Sequence, residues 1–334
     1  MASEQISRRG EGHAGLDPDA RRFIDAITTS GRAPAHTLSP VEARRLVAQN
    51  TPMMCKPGPS MAAVEDILVA GGEGSLPARI YTPISADLPA PLLVFFHGGG
   101  FVNCDIHTHD GLCRALADGS GWIVASVAYR LAPEHRFPAA AQDAVAATRW
   151  FVANAALVGA DRRCIGVGGD SAGGNLAAGV AQALPGLAAQ LLLYPLLDFS
   201  FAHPSHGTFG EGFMLTRASL EWFRHHYLRG DADQFDLRAS PGKADVLVGL
   251  APAYVLAAGY DPLQDEAHDY AARLGAAGVP TSLKIFSGQI HGFAMMTAIM
   301  AAADEALTDA GNWLEAIKGR GHRLNTHSRK TPCE

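Results

Sequence analysis

The segment Gly169-Asp170-Ser171-Ala172-Gly173 has the spacing G-x-S-x-G, follows the run CIGVG and opens an alanine-rich stretch. A serine on such a strand–turn–helix junction projects its hydroxyl above the edge of a sheet, where it can act as a nucleophile. The flanking glycines suit the turn, because a Cβ there would collide with neighbouring backbone. A second glycine cluster, His97-Gly98-Gly99-Gly100-Phe101, directly follows the apolar run LLVFF. Three glycines at a strand end free backbone N–H groups to point into one cavity and hold the oxygen of a tetrahedral intermediate, about 3–4 kcal/mol for each donor. The N–H of Ala172, at the start of the helix after the serine, is another such donor. The cluster lacks the lysine and the spacing of a phosphate-binding loop. His97 is assigned to bracing this loop by hydrogen bonding, not to proton transfer.

A serine hydroxyl needs a positioned base. Around a nucleophile of this type the chain order is Ser, then Asp or Glu, then His. Asp261 follows AYVLAAGY and His291 follows SLKIFSG, so both stand at the carboxyl end of a strand and in that order. Open α/β sheets take their ligands at this edge. Asp261 followed by Pro262 also reads as a plain helix start, and His291 alone as a surface loop histidine; their pairing favours the catalytic reading. His225 and His226 precede the acid and are read as pocket-lining residues at most. Asp265, Glu266, His268 and Asp269 are read as the solvated face of the helix after Asp261. Asp105, His107, His109 and Asp110 mix carboxylates with imidazoles, but no i, i+4 histidine pair is present. A helix start capped by Thr108 or Asp110 is expected there, and no metal site.

Strand candidates are Glu65–Ala70, Ala78–Thr82, Leu92–Phe96, Ile123–Ala128, Cys164–Val167, Gln190–Tyr194, Ala253–Ala257 and Ser282–Phe286. Helical patterns fill His109–Asp118, Pro138–Asn154, Ala172–Leu184, Asp265–Ala277 and Met300–Lys318. This alternation predicts a mostly parallel sheet covered on both faces, with an antiparallel hairpin at one edge across GGEGSLP. Two regions break it: the N-terminal stretch, with helices at Asp19–Thr28 and Pro40–Gln49, and an excursion from about Phe199 to Lys243 carrying an aromatic helix, Ala218–Leu228. Insertions of that length usually sit over a functional mouth, and the two together are expected to form a cap. The expected division is therefore 1–50 and 199–243 as cap, 51–198 and 244–319 as core, and 320–334 as a disordered tail.

The 334 residues carry 27 Lys and Arg against 33 Asp and Glu, a formal charge of −6, with no basic run in the body of the chain. Nucleic acid is a poor partner for such a chain. No apolar stretch reaches the length of a membrane span, and the N-terminus lacks the apolar core of a secretory signal. The five cysteines are scattered without a Cys-x-x-Cys pair, which predicts reduced thiols and a cytoplasmic setting.

Several long segments together resemble the hormone-sensitive-lipase-like family of α/β-hydrolases, the bacterial family IV esterases. HGGGF (97–101), THDGLCRALA (108–117), YRLAPEHRFPAAAQDA (129–144), GDSAGGNLA (169–177), DPLQDEA (261–267) and IHGFAMM (290–296) are similar to its motifs, the fourth to the branch carrying GDSAG. One departure is Asn103-Cys104-Asp105, where the family usually has a glycine shortly before the acidic residue. The resemblance implies an α/β-hydrolase fold, an eight-stranded sheet with a helical cap. It also implies Ser171 as nucleophile, His291 as general acid/base and Asp261 as its orienting acid, with Gly98, Gly99 and Ala172 as oxyanion donors. The expected activity is hydrolysis of short- to medium-chain acyl esters of small molecules, with no cofactor or metal. An amidase or deacetylase using the same three residues and a non-catalytic small-molecule receptor are the alternatives, and a homodimer stays open. With histidine as base, activity is expected to rise with pH through about 6–7, where histidine ordinarily loses its proton; a flat profile from about pH 5 to 9 would contradict that role.

Overall fold

The computed structural model describes residues 15–31 and 33–327, with side chains described as far as 318. Eight strands form one sheet: β1 (Ala63–Ala70), β2 (Ser75–Thr82), β3 (Ala90–Phe96), β4 (Ile123–Val127), β5 (Ala160–Asp170), β6 (Gln190–Leu193), β7 (Ala253–Tyr260) and β8 (Thr281–Ile290). Their spatial order is β1-β2-β4-β3-β5-β6-β7-β8. β1 and β2 pair antiparallel, as does β2 with β4, and from β4 to β8 every pairing is parallel.

Nine helices are present among the described residues: α1 (Pro18–Thr29), α2 (Pro40–Met54), α3 (Asp110–Ser120), α4 (Ala139–Asn154), α5 (Ala172–Ala183), α6 (Ser205–Thr208), α7 (Arg217–Tyr227), α8 (Gln264–Ala276) and α9 (Ala301–His327). Alternate residues of β3 point to opposite faces, as strand geometry demands. Leu92, Val94 and Phe96 join a core with residues of α4, α5 and α8, whereas Leu93 and Phe95 join another with residues of α1, α3 and α9. A strand buried on both faces must read as a continuous apolar run, which is why LLVFF carries no polar alternation.

The two regions without strands meet each other. The turn Ala35–Thr37 packs on α7. A capping box starts α2: Ser39 Oγ accepts from the Glu42 N–H at 3.3 Å and the Glu42 carboxylate accepts from the Ser39 N–H at 3.0 Å. Such reciprocal capping satisfies two of the helix's free donors.

The C-terminal expectation needs correction. α9 continues to His327, beyond the Lys318 at which a helix was expected to stop and into the segment expected as a tail. Residues 328–334 of that tail lie outside the described residues. The glycines at 319 and 321 lower helix propensity by only about 1 kcal/mol each, too little to stop an established helix.

Asp143 on α4 is fully buried and ties the hairpin turn between β1 and β2 to the segment after β4. It accepts from the Gly72 N–H at 2.8 Å, and from Arg130 through its backbone N–H (3.0 Å), Nε (2.9 Å) and Nη2 (2.8 Å). Removing one partner of a buried ion pair strands the other. Asp143→Ala is expected to lower unfolding free energy by about 3–5 kcal/mol in urea titrations; a loss below about 1 kcal/mol would show that water replaces the carboxylate there.

Candidate active site

β5 ends at Asp170 and α5 begins at Ala172, leaving Ser171 at φ 53° and ψ −115°. A non-glycine residue in the left-handed region costs about 1–3 kcal/mol and persists only where its surroundings over-determine it. Here the Ser171 N–H donates to the Leu193 carbonyl at 2.8 Å, and its own carbonyl accepts from Asn175 and Leu196 N–H groups, each at 3.1 Å. The helix can start this close to the sheet because residue 173 is glycine: a Cβ there would run into the carbonyl oxygen of Phe96.

Three loops from the carboxyl ends of β5, β7 and β8 converge. His291 Nε2 is 2.9 Å from Ser171 Oγ, and His291 Nδ1 is 2.7 Å from Asp261 Oδ2. Asp261 is fully buried, and its Oδ1 accepts from the Leu263 N–H at 2.9 Å, which fixes the carboxylate plane. The Tyr194 ring meets the His291 ring edge-on at 5.0 Å, restricting its rotation. The expected nucleophile, base and acid, 120 and 30 residues apart along the chain, thus form one hydrogen-bonded chain. Such a chain can withdraw the serine proton as the oxygen attacks a carbonyl.

The loop after β3 departs from expectation at one donor. The Gly98 N–H points at Asp170 Oδ1, 2.8 Å away, and so is not free for an oxyanion. Among the described residues, the N–H groups of Gly99, Gly100 and Ala172 have no protein acceptor. Gly99 has φ 104°, which only glycine adopts without strain. Asp170, the variable residue of G-x-S-x-G, therefore fastens the loop; it also lies 3.0 Å from His109 Nε2. Burial works against its charge, but the neighbouring His109 and His97 imidazoles and the Gly98 N–H outweigh it, holding the carboxyl below the usual carboxylate range. His97 braces the same loop. Its Nδ1 is 2.8 Å from the Gly98 carbonyl, its ring stacks on Tyr129 at 4.4 Å, and the Tyr129 hydroxyl donates to the His97 carbonyl at 2.7 Å.

Cys104, at the usual glycine position, has φ 67°, a backbone state that explains why glycine is usual there. Neither Thr108 nor Asp110 caps α3; His109 occupies the N-cap without a side-chain bond. Asp105 instead accepts from the His107 and Thr108 N–H groups, while Asp110 pairs with Arg114 and the Tyr81 hydroxyl. Among the described residues no group of His, Cys, Asp and Glu side chains could hold a metal ion.

Glu266 is a second correction. It is buried, not solvated, and its Oε2 accepts from the N–H groups of Leu197 and Asp198 at 2.5 and 2.6 Å, with His206 Nε2 3.3 Å from Oε1. Burial raises its carboxyl well above the ordinary range against those two N–H groups. From the excursion, the Phe223 ring lies against Gly100, where a Cβ would clash with it, and Tyr227 stacks on Phe101 at 3.8 Å. Met214 Sδ comes within 4.0 Å of where a Gly292 Cβ would stand.

Burial, and next the nearby His109, push His97 down from about 6.5 to about 4. Between those values an unfolded chain binds a proton that the native one refuses, so the stability contributed by His97 is full above about pH 6.5 and is lost as pH falls to about 4. The destabilisation caused by His97→Asn is therefore expected to shrink across that window, measured by urea titrations at pH 7, 5.5 and 4.5. A constant gap would mean that His97 is protonated in the native state.

Comparison with known proteins agrees with this geometry. A family model described as the alpha/beta hydrolase fold matches residues 93–295. The ethyl acetate hydrolase of Pseudomonas putida is 37% identical over 305 residues, covering 87% of this chain and 96% of that protein. The carboxylic ester hydrolase LipN of Mycobacterium tuberculosis is 45% identical over 249 residues, 71% of this chain and 66% of that protein. Among solved structures, an ester hydrolase from the metagenome of Lake Arreo, complexed with a derivative of bipyridine phosphonate, is 40% identical with a TM-score of 0.88, covering 91% of this chain and 99% of the other. The hyperthermophilic esterase of Pyrobaculum calidifontis is 34% identical with a TM-score of 0.85, over 90% and 98% of the two chains. With its serine elbow, its glycine loop and a mostly parallel eight-stranded sheet, the chain belongs to the hormone-sensitive-lipase-like family of α/β-hydrolases, the family IV carboxylic ester hydrolases.

Proposed function

We propose that the protein is a serine carboxylesterase that hydrolyses short- to medium-chain acyl esters through Ser171, His291 and Asp261 and an acyl-enzyme. The observation that carries the reading is the chain Ser171 Oγ to His291 Nε2 at 2.9 Å and His291 Nδ1 to Asp261 Oδ2 at 2.7 Å. His291 takes the Ser171 proton as the oxygen attacks the ester carbonyl. Asp261 holds the imidazole tautomer and stabilises the imidazolium. The carbonyl oxygen, now anionic, is received by the N–H groups of Gly99, Gly100 and Ala172, with Gly100 taking the place first expected of Gly98. His291 then protonates the departing alcohol, and the same base activates water to release the acid.

The excursion 199–243 and the N-terminal helices serve as a cap. Phe223 against the glycine loop and Met214 near Gly292 narrow the space above Ser171, which favours small esters over bulky lipids. The ethyl acetate hydrolase relationship points the same way. No helix among the described residues is long and apolar enough to cross a membrane.

The test is an acyl-length series of p-nitrophenyl esters with the wild type and Ser171→Ala. Turnover is expected to peak at short or medium chains and to fall on the order of 10⁴-fold or more in the variant. Full activity in Ser171→Ala would overturn the mechanism. An anilide hydrolysed as fast as the matching aryl acetate would favour the amidase reading, and a wild type that turns over neither would favour a receptor.

A further inference from the structure

The hydrogen bonds of the glycine loop described so far come from the loop itself and from residues at or just after the ends of β4 and β5. One comes from elsewhere. Arg44, on α2, reaches the loop after β3 with its Nε 2.7 Å from the Val102 carbonyl, and its Nη2 donates at 2.7 Å to the Ala132 carbonyl. The same guanidinium grips Glu134 through Nη1 at 2.8 Å and Nη2 at 2.6 Å. We propose that Arg44 is a positioning residue for the oxyanion loop, through which the N-terminal helices act on the esterase reaction; the inference rests on the proposed serine mechanism.

The loop has reason to need an outside tie. Phe101 and Cys104 stand at φ 64° and 67° without being glycine, each state costing about 1–3 kcal/mol. The turn between them is closed by the Val102 and Asn103 N–H groups, both donating to the Gly99 carbonyl at 3.1 and 2.8 Å. The Ala132 N–H donates to the Phe101 carbonyl at 2.9 Å. Arg44 thus bridges the two strands of chain that this bond joins, binding Val102 on one side and Ala132 on the other. Any rotation of the 99–103 turn that moved the Gly99 and Gly100 N–H groups would have to break one of its bonds. A planar guanidinium with donors fixed in a fork makes these four bonds at once, to two carbonyls and both carboxylate oxygens, whereas an ammonium has only three donors.

Glu134 orients the fork. Its hydrogen bonds from Arg44, outweighing some burial, hold its carboxyl down to about 2, so the pair stays ionised wherever a histidine base is neutral. The Glu134 side chain is half exposed, and an exposed ion pair contributes little to stability, about 0–1 kcal/mol. An ion pair of small weight in folding, whose arginine keeps a fixed hold on the loop that carries the oxyanion donors, should show itself in catalysis. Displacement of such donors by about 1 Å can cost on the order of 100-fold in rate.

The experiment measures kcat, KM and the thermal midpoint of full-length wild type, Arg44→Ala, Arg44→Lys and Glu134→Gln with p-nitrophenyl acetate. The expected result is a fall in kcat of about 10–100-fold for Arg44→Ala, with KM within about threefold and the midpoint moved by only a few degrees. Arg44→Lys should fall between it and the wild type, and Glu134→Gln should lose several-fold. Unchanged kcat in folded Arg44→Ala, or a rise in KM with kcat intact, would overturn the inference. Should Arg44→Ala fail to fold, Glu134→Gln decides: lower kcat at an unchanged midpoint supports the positioning role, and unchanged kcat refutes it. Failure of the wild type to hydrolyse the ester would instead refute the serine mechanism itself.

Discussion

The backbone of Ser171 is held where an L-residue does not rest comfortably, and much of the surrounding structure exists to hold it there. β5 must be flanked on both sides by parallel strands for the turn to be gripped. β6 supplies the Leu193 carbonyl that receives the Ser171 N–H, and β3 ends at the Phe96 carbonyl, against which Gly173 packs without a Cβ. The position of α5 follows, and with it the free N–H of Ala172 beside the nucleophile. Strain of this kind is retained where function needs the geometry it enforces.

The same turn also governs its partners. Asp170 stands one residue before Ser171 and anchors Gly98, so the serine and the glycine loop share one rigid mounting. His291 and Asp261 arrive from β8 and β7, next to one another at the sheet's other end. The N-terminal helices touch both halves. Arg44 binds the glycine loop, while the Asp17 N–H donates to the Gly288 carbonyl at 2.9 Å and Asp17 Oδ2 accepts from Gln289 Nε2 at 2.8 Å, just before His291. A chain segment outside the sheet therefore spans the two loops whose separation sets the reaction geometry.

Much of this was legible in the residue order, and the exceptions have physical causes. All eight strands were visible as short β-rich runs, continuous apolar ones only in the middle of the sheet, and Ser171, Asp261 and His291 stood at strand ends in the order the elbow demands. β5 proved longer than Cys164–Val167 because Gly168 and Gly169 have weak strand propensity yet are held by pairing to β3 and β6. Gly98 could not be told from Gly99 as a donor, since the difference is the direction of one peptide plane set by the Asp170 side chain. Glu266 read as solvated because its helix is polar; the turn at Leu197 and Asp198, which buries it, is 69 and 68 residues away. The Arg44 contacts, 58 and 88 residues apart along the chain, leave no local pattern at all.

The proposed mechanism requires His291 to activate Ser171 within this one strained turn. An activated serine oxygen attacks the phosphorus of an organophosphonate ester and expels its leaving group, so mass spectrometry of the labelled wild type and His291→Gln tests this activation directly. One phosphonyl group per wild-type chain is expected, located on Ser171, with a labelling rate lower by several orders of magnitude in the variant. Label on another residue, or equal rates in the two proteins, would contradict it.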